Sequence, residues 1–294
     1  MKTALHSVSY AGVWPGQARL SLTDFLQRAK ALGFDAVMLM AKRPHLSVLD
    51  QDVDSRRRLK QQLQELGLRL ACIAGYTDFC QGADHPEIPT REMQILYIRE
   101  LCSLAHSLDC KLIRVFTGYT YANVPHEQGW NWCVESLREC AAVAADFNVT
   151  IGVQNHHDMA THWESLIDLL EEIDRPNCRA MFDAWAPALQ GMDIVAAARK
   201  MAPWMVHTTV ADYVRRPRFI YLPQLVNYAP SQDAIRAVPM GEGFIDYRGF
   251  LRALRDAGYS GYVAYEMCSP LKGGGSEANL DRCARRFLDY MKEI

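Results

Sequence analysis

The sequence has no apolar run approaching the ~18 residues that a membrane span requires, and it has no excess of either charge. Lys and Arg number 32 against 34 Asp and Glu, a net of −2, so it carries no electrostatic footprint for nucleic acid or an anionic membrane. Its nine cysteines include no CxxC pair, and the expectation is reduced, mostly buried thiols in a cytoplasmic protein. Neither GxGxxG nor GxxxxGK[ST] is present, which removes the phosphate-binding turn that a doubly wound nucleotide-binding sheet normally carries. The opening stretch "MKTALHSVSYAGVWPG" meets polar residues early, and no signal peptide is expected there.

What is present is an order of elements. Apolar residues make up 49% of the chain, enough for a large core. Eight short β-type runs, at 4–10, 36–41, 68–74, 110–116, 149–154, 178–183, 205–211 and 261–267, are apolar on both faces, as parallel strands buried on both sides should be. Between them lie amphipathic helical stretches. Ser21 reads as a cap for a helix with Phe25, Leu26, Ala29 and Leu32 on one face, and Gly33 reads as its stop. Leu280, Cys283, Ala284, Phe287, Leu288 and Met291 mark the last helix by the same spacing. Eight such units in 294 residues predict an α/β fold, a (β/α)8 TIM barrel forming one domain over 1–294. The stretch 214–244 is long for a βα loop and reads as an irregular lid or oligomer contact.

A barrel collects the side chains at the C-terminal ends of its strands in one pocket. Those ends supply His6, Lys42, Arg114, the run "VQNHHD" beginning at Val153, Asp183, then His207 with Thr209 and Asp212, and finally Glu266. Burying such groups without partners is costly, so their recurrence at one end of eight apolar strands points to a ligand, a metal or mutual pairing. Each also has a plainer reading. Asp183 or Glu266 alone could cap a helix or join a structural ion pair. Arg114 could simply neutralise a carboxylate, and His207 could be a core histidine one layer deeper. His157 and Asp158 read as loop surface.

The segment "VPMGEGFIDYRGFLRALRDAGYSGYVAYEM" at 238–267, with "GFDAV" and "MFDAW" earlier in the chain, resembles the xylose isomerase-like TIM-barrel superfamily, the sugar phosphate isomerases and epimerases and their relatives. The resemblance implies one divalent ion, Mn2+ or Mg2+ first and Zn2+ or Co2+ next, held by residues from the last four strands. Asp183 and Glu266 match that pattern. Gln154 stands where a Glu is expected. Thr209 stands at the expected strand-7 His, with His207 two residues earlier, and Ala186 replaces a further His. The implied ligand set is therefore Gln154, Asp183, Glu266 and His207, an altered one. Residues two apart on a strand share a face but lie about 6.6 Å apart along it, so His207 and Thr209 cannot fill one ligand position.

The function expected is a metal-assisted isomerase or epimerase acting on a small carbohydrate or keto-sugar acid through an enediolate. Glu266, His156 and Gln154 are the candidate catalytic residues, with His156 as the proton shuttle. Arg114, Lys42, Asn155, His207 and Arg216 are the candidate substrate contacts, and Arg114 the anion clamp. A Gln amide neither accepts nor donates a proton at neutral pH, so a two-carboxylate epimerisation needs a substitute group. A β-keto sugar-acid decarboxylase or a dehydratase of the same superfamily is the alternative; a non-catalytic sugar-binding barrel is the third. The expected partner is a small sugar or sugar acid, with no nucleic acid and no membrane. The aromatic stretch 219–228 makes a homodimer or homotetramer an expectation.

Overall fold

A computed structural model describes all residues 1–294. Eight parallel strands make one sheet: β1 (Lys2–His6), β2 (Ala36–Met40), β3 (Arg69–Ala74), β4 (Leu112–Val115), β5 (Thr150–Gln154), β6 (Cys178–Met181), β7 (His207–Val210) and, after an intervening hairpin, β10 (Tyr262–Tyr265). Their order is β6-β5-β4-β3-β2-β1-β10-β7. The ring closes between β6 and β7 by a single bridge, Ala180 with Met205, and by Val206 N donating to Ala180 O at 2.9 Å. The result is a nearly closed (β/α)8 barrel, as the alternation of the sequence predicts. No helix is long and apolar enough to cross a membrane.

The helices form the outer layer: α1 (Leu22–Leu32), α2 (Val53–Glu65), α3 (Thr90–Ser107), α4 (His126–Asp146), α5 (Trp163–Ile173), α6 (Trp185–Leu189), α7 (Ile194–Met201), α8 (Tyr247–Asp256) and α9 (Glu277–Lys292). Their termini follow from local chemistry. Ser21 Oγ accepts from Asp24 N at the start of α1, and Gly33 ends it at φ 94°, a left-handed conformation that costs glycine little. Asp246 Oδ1 starts α8 in the same way by accepting from Gly249 N.

Two cores result. A large one of 74 buried residues lies between strands and helices. A small one fills the barrel interior, with Ala4, Ala36, Met38, Cys72, Ala74, Leu112, Met181 and Ala264. Side chains alternate along a strand, so the residues two positions beyond these must also face inward. His6 follows Ala4, Arg114 follows Leu112, Asp183 follows Met181, and Glu266 follows Ala264. Gly152 occupies the interior layer of β5, where a Cβ would meet Met181 Cγ and Sδ at 2.7 Å, and Gln154 follows it. One parity thus places an apolar floor under a polar rim.

Two expectations are corrected. The first strand stops at His6 rather than 10, because His6 Nδ1 accepts from Val8 N and Ser7 Oγ accepts from Met40 N, turning Ser7–Tyr10 into a 3-10 turn. The stretch expected to be irregular is a hairpin, β8 (Asp212–Leu222) against β9 (Asn227–Val238). Its register slips between Arg216 and Arg218, at Pro217, which has no N–H to give the ladder. At its tip Phe219, Ile220, Tyr221 and Tyr228 are exposed.

Candidate active site

Gln154, Asp183 and Glu266 line one cavity at the strand ends. His156 and Thr209 share its wall, with Trp185, Tyr213, Tyr247, Cys268 and Ser269. Because β5, β6, β7 and β10 each stop at or just before one of these residues, the strand ends fix their positions. The aromatic members were not expected from the sequence. Trp185 packs between His156 and Tyr213, with ring centroids 5.7 and 5.8 Å away, and the Tyr247 hydroxyl donates to Ala211 O at 3.0 Å. Their only signal is position, since Trp185 lies two residues after Asp183 and Tyr247 directly after Asp246 in "FIDYRGF".

Gln154 is held in a single orientation. Arg114 Nη1 lies 3.0 Å from one terminal atom of its amide. A guanidinium has no acceptor, so that atom is the oxygen. The amide nitrogen therefore faces the other way, donating to Asp183 Oδ2 at 2.6 Å and to Thr209 Oγ1 at 3.0 Å. Asp183 takes a further bond on Oδ2 from Thr209 Oγ1 at 3.3 Å, and its Oδ1 accepts from Trp185 N. Asn155 braces the same turn: its Oδ1 accepts from Asp183 N and its Nδ2 donates to Asp183 O. It is a positioning residue behind the cavity rather than a group in its wall.

Arg114 also lies behind the cavity. It is buried, Nη2 donates to Gly75 O at 3.0 Å, and its plane lies 3.9 Å from the Phe116 ring and 4.7 Å from Tyr76. With both terminal nitrogens engaged it acts on the cavity as a fixed charge through Gln154, which corrects its expected role as a direct anion clamp. Lys42 sits over Tyr76 at 3.9 Å in an adjoining groove rather than in the cavity wall. Arg216 is exposed on β8, and its one hydrogen bond goes to Arg215 O. The neighbour Arg215 does the structural work there, donating to the carbonyls of Ala188 and Leu189.

His207 is corrected as well. Two residues before Thr209 on β7, it lies a layer below the rim, fully buried, with neither ring nitrogen hydrogen-bonded. It pairs in register with Tyr262, at the start of β10, whereas Glu266 lies beyond the end of that strand. It cannot join a ligand set at the strand ends. Burial and the Arg114 charge hold its imidazolium pKa down near 3.

His156 and His6 are neutral for the same reason. His156 has its pKa lowered to about 3 by burial first, then by His157 and Arg114. Its Nδ1 accepts from His157 N at 2.7 Å, so the ring proton sits on Nε2. His6 is held well below its ordinary value by burial and Arg114. Its Nδ1 is likewise an acceptor, and its Nε2, 3.8 Å from Glu266 Oε1, has no hydrogen-bond partner. Burial pushes the Glu266 carboxyl above its usual range, opposed by Arg114, and Asp183 is raised by burial against its hydrogen bonds. Cys268 opens into the cavity and is exposed.

The donor set does not fit the divalent ion that the resemblance implies. Hard cations take oxygen ligands, and here the Gln154 oxygen is committed to Arg114 while N–H groups face Asp183. Thr209 brings no charge, His207 is a layer away, and no three His, Cys, Asp or Glu side chains are grouped for an ion. Two carboxylates remain.

Comparison with known proteins places the chain. The profile of the xylose isomerase-like TIM barrel family matches residues 26–291. A 3-dehydroshikimate dehydratase of Bacillus anthracis is 25% identical over 262 residues, 87% of this chain and 88% of that protein. A fructoselysine 3-epimerase of Escherichia coli O157:H7 is 19% identical over 86% of this chain and 87% of its own. Among solved structures, the D-psicose 3-epimerase of Clostridium cellulolyticum H10 superposes with a TM-score of 0.76 at 20% identity, covering 100% of this chain and 99% of that one. The chain belongs to the xylose isomerase-like TIM barrel family and is an enzyme of its isomerase/epimerase or lyase kind.

Proposed function

We propose that the protein is an isomerase of a small carbohydrate or keto-sugar acid, moving a proton between carbons beside a carbonyl through an enediolate. The observation that carries this reading is the pairing of one raised carboxyl, Glu266, with one neutral imidazole N–H, His156, in the wall of one cavity. A carboxylate base near neutrality and a neutral imidazole acting as hydrogen-bond donor form a known pattern for proton transfer on one face of an enediolate.

In this scheme the Glu266 carboxylate removes the proton next to the substrate carbonyl and returns it to the neighbouring carbon. His156 Nε2–H donates to the oxygen on which charge develops, where a donor placed in advance stabilises the transition state, and the same imidazole passes the proton of the neighbouring hydroxyl to that oxygen. Gln154 and Asp183 hold the rim, and the Trp185, Tyr213 and Tyr247 rings give the sugar its apolar wall. Gln154 cannot transfer a proton, so epimerisation by two carboxylates on opposite faces is disfavoured in this site.

The same observation supports a second reading. One proton shuttle and one oxyanion donor also suffice for elimination of a β-hydroxyl group, a dehydratase reaction, with Glu266 carrying the proton from carbon to leaving oxygen. The dehydratase relative supports it. A screen of ketoses and keto-sugar acids in D2O, followed by NMR, separates the two: deuterium at carbon in an isomeric product supports the isomerase, an unsaturated product supports the lyase. A carbon-bound proton that still exchanges in Glu266→Gln would overturn both.

A further inference from the structure

We infer that this site carries its positive charge on Arg114 and does not take a divalent metal ion. The inference goes beyond the proposed reaction and needs no substrate for its test.

Arg114 can only donate, which fixes the oxygen of Gln154 toward it at 3.0 Å. The opposite end of that amide then presents N–H groups to Asp183 Oδ2 at 2.6 Å and Thr209 Oγ1 at 3.0 Å. An ion seated on Asp183 would meet the positive end of the amide dipole, with a guanidinium on the far side of the same side chain. Asp183 also has hydrogen bonds on both oxygens already, from Gln154 and Thr209 on one and Trp185 N on the other.

The electrostatics converge on one residue. Arg114 is a permanent cation, 1% exposed and stacked on Phe116. Its positive charge acts on both carboxylates of the rim, Asp183 and Glu266. Gln154 and Thr209 bring no negative charge of their own to the rim, which leaves Asp183 and Glu266 as its two carboxylates.

The test is Mn2+ binding to the full-length purified protein, read by paramagnetic resonance of free Mn2+ and by thermal melting, since a ligand of the folded state raises Tm. Dialysed wild type is expected to bind no stoichiometric Mn2+ and to melt at an unchanged temperature in its presence. The double substitution Gln154→Glu with Thr209→His supplies a third carboxylate and an imidazole, and is expected to gain one Mn2+ per chain with a raised Tm. Adding Arg114→Met to that pair is expected to tighten Mn2+ by about tenfold or more, because a buried like charge is removed. Should the triple variant not fold, Arg114→Gln in the same background serves. Stoichiometric Mn2+ on wild type, lost in Asp183→Asn, overturns the inference. So does an Arg114 substitution that leaves the gained affinity unchanged or weaker. Neither result bears on whether Glu266 moves a proton.

Discussion

His6 Nε2 lies 3.8 Å from Glu266 Oε1, joining the end of the first strand to the end of the last across their shared edge. His6 is buried and Glu266 partly so, and the imidazole is neutral. At that distance no hydrogen bond joins them, and it is burial that raises the Glu266 pKa.

Glu266→Gln should lower kcat by about 10^2-fold or more, the range for loss of a positioned acid–base group, in any reaction the enzyme catalyses at this site. The same substitution should raise stability. A carboxyl whose folded pKa lies above its unfolded value binds its proton more readily when folded. Its ionisation then costs stability as pH rises through that interval. The variant should melt above wild type at pH 8, and the gap should close as pH falls below the ordinary glutamate range. Thermal melts across that range check it, and a variant that melts lower at pH 8 contradicts the burial argument.

The acidic limb of kcat/KM should lie above the usual carboxylate range, since activity needs Glu266 ionised and burial raises its pKa. Arg114→Met removes a charge that holds this pKa down, so the limb should move to still higher pH. A limb that moves down, in a variant whose melt shows it folded, would place Arg114 outside the field of Glu266.

No histidine limb should appear near pH 6.5. His156 stays neutral until about pH 3, and its role is that of an N–H donor. His156→Ala should cost about 10^2-fold in kcat, the scale for one oxyanion donor, with KM changed much less. His156→Asn should recover part of it, because its amide also donates. Equal loss in both variants would point to packing against Trp185 rather than to donation.

Much of this site was legible in the chain. The alternation of elements gave the barrel, and the parity of β4, β6 and β10 put Arg114, Asp183 and Glu266 above an apolar layer. The same parity set His207 one layer below Thr209. Other features depend on contacts between distant strands. The turn after His6 rests on Met40 N reaching Ser7. The withdrawal of Arg114 behind Gln154 rests on Gly75 O and the Phe116 ring. The direction of the Gln154 amide is set by two neighbours that lie 40 and 29 residues away in sequence. The hairpin escaped because its strands face solvent along most of their length, so they lack the apolar run that marks a buried strand.

The floor of the site should be as sensitive as its rim. Gly152 sits on β5 two residues before Gln154, where a Cβ would approach Met181 Cγ and Sδ at 2.7 Å and Leu112 Cδ1 at 3.1 Å. Met181 is fully buried, and although a thioether chain is adaptable, the barrel interior leaves it little room. Gly152→Ala should destabilise the fold by about 1–3 kcal/mol through overpacking. Any displacement of Met181 acts directly below Asp183, so the variant should also lose affinity for substrate. Pairing it with Met181→Ala, which opens the space again, should restore activity more than stability. Urea unfolding and KM measured on the single and double variants check this. If the two substitutions prove additive, Gly152 and Met181 do not compete for one space.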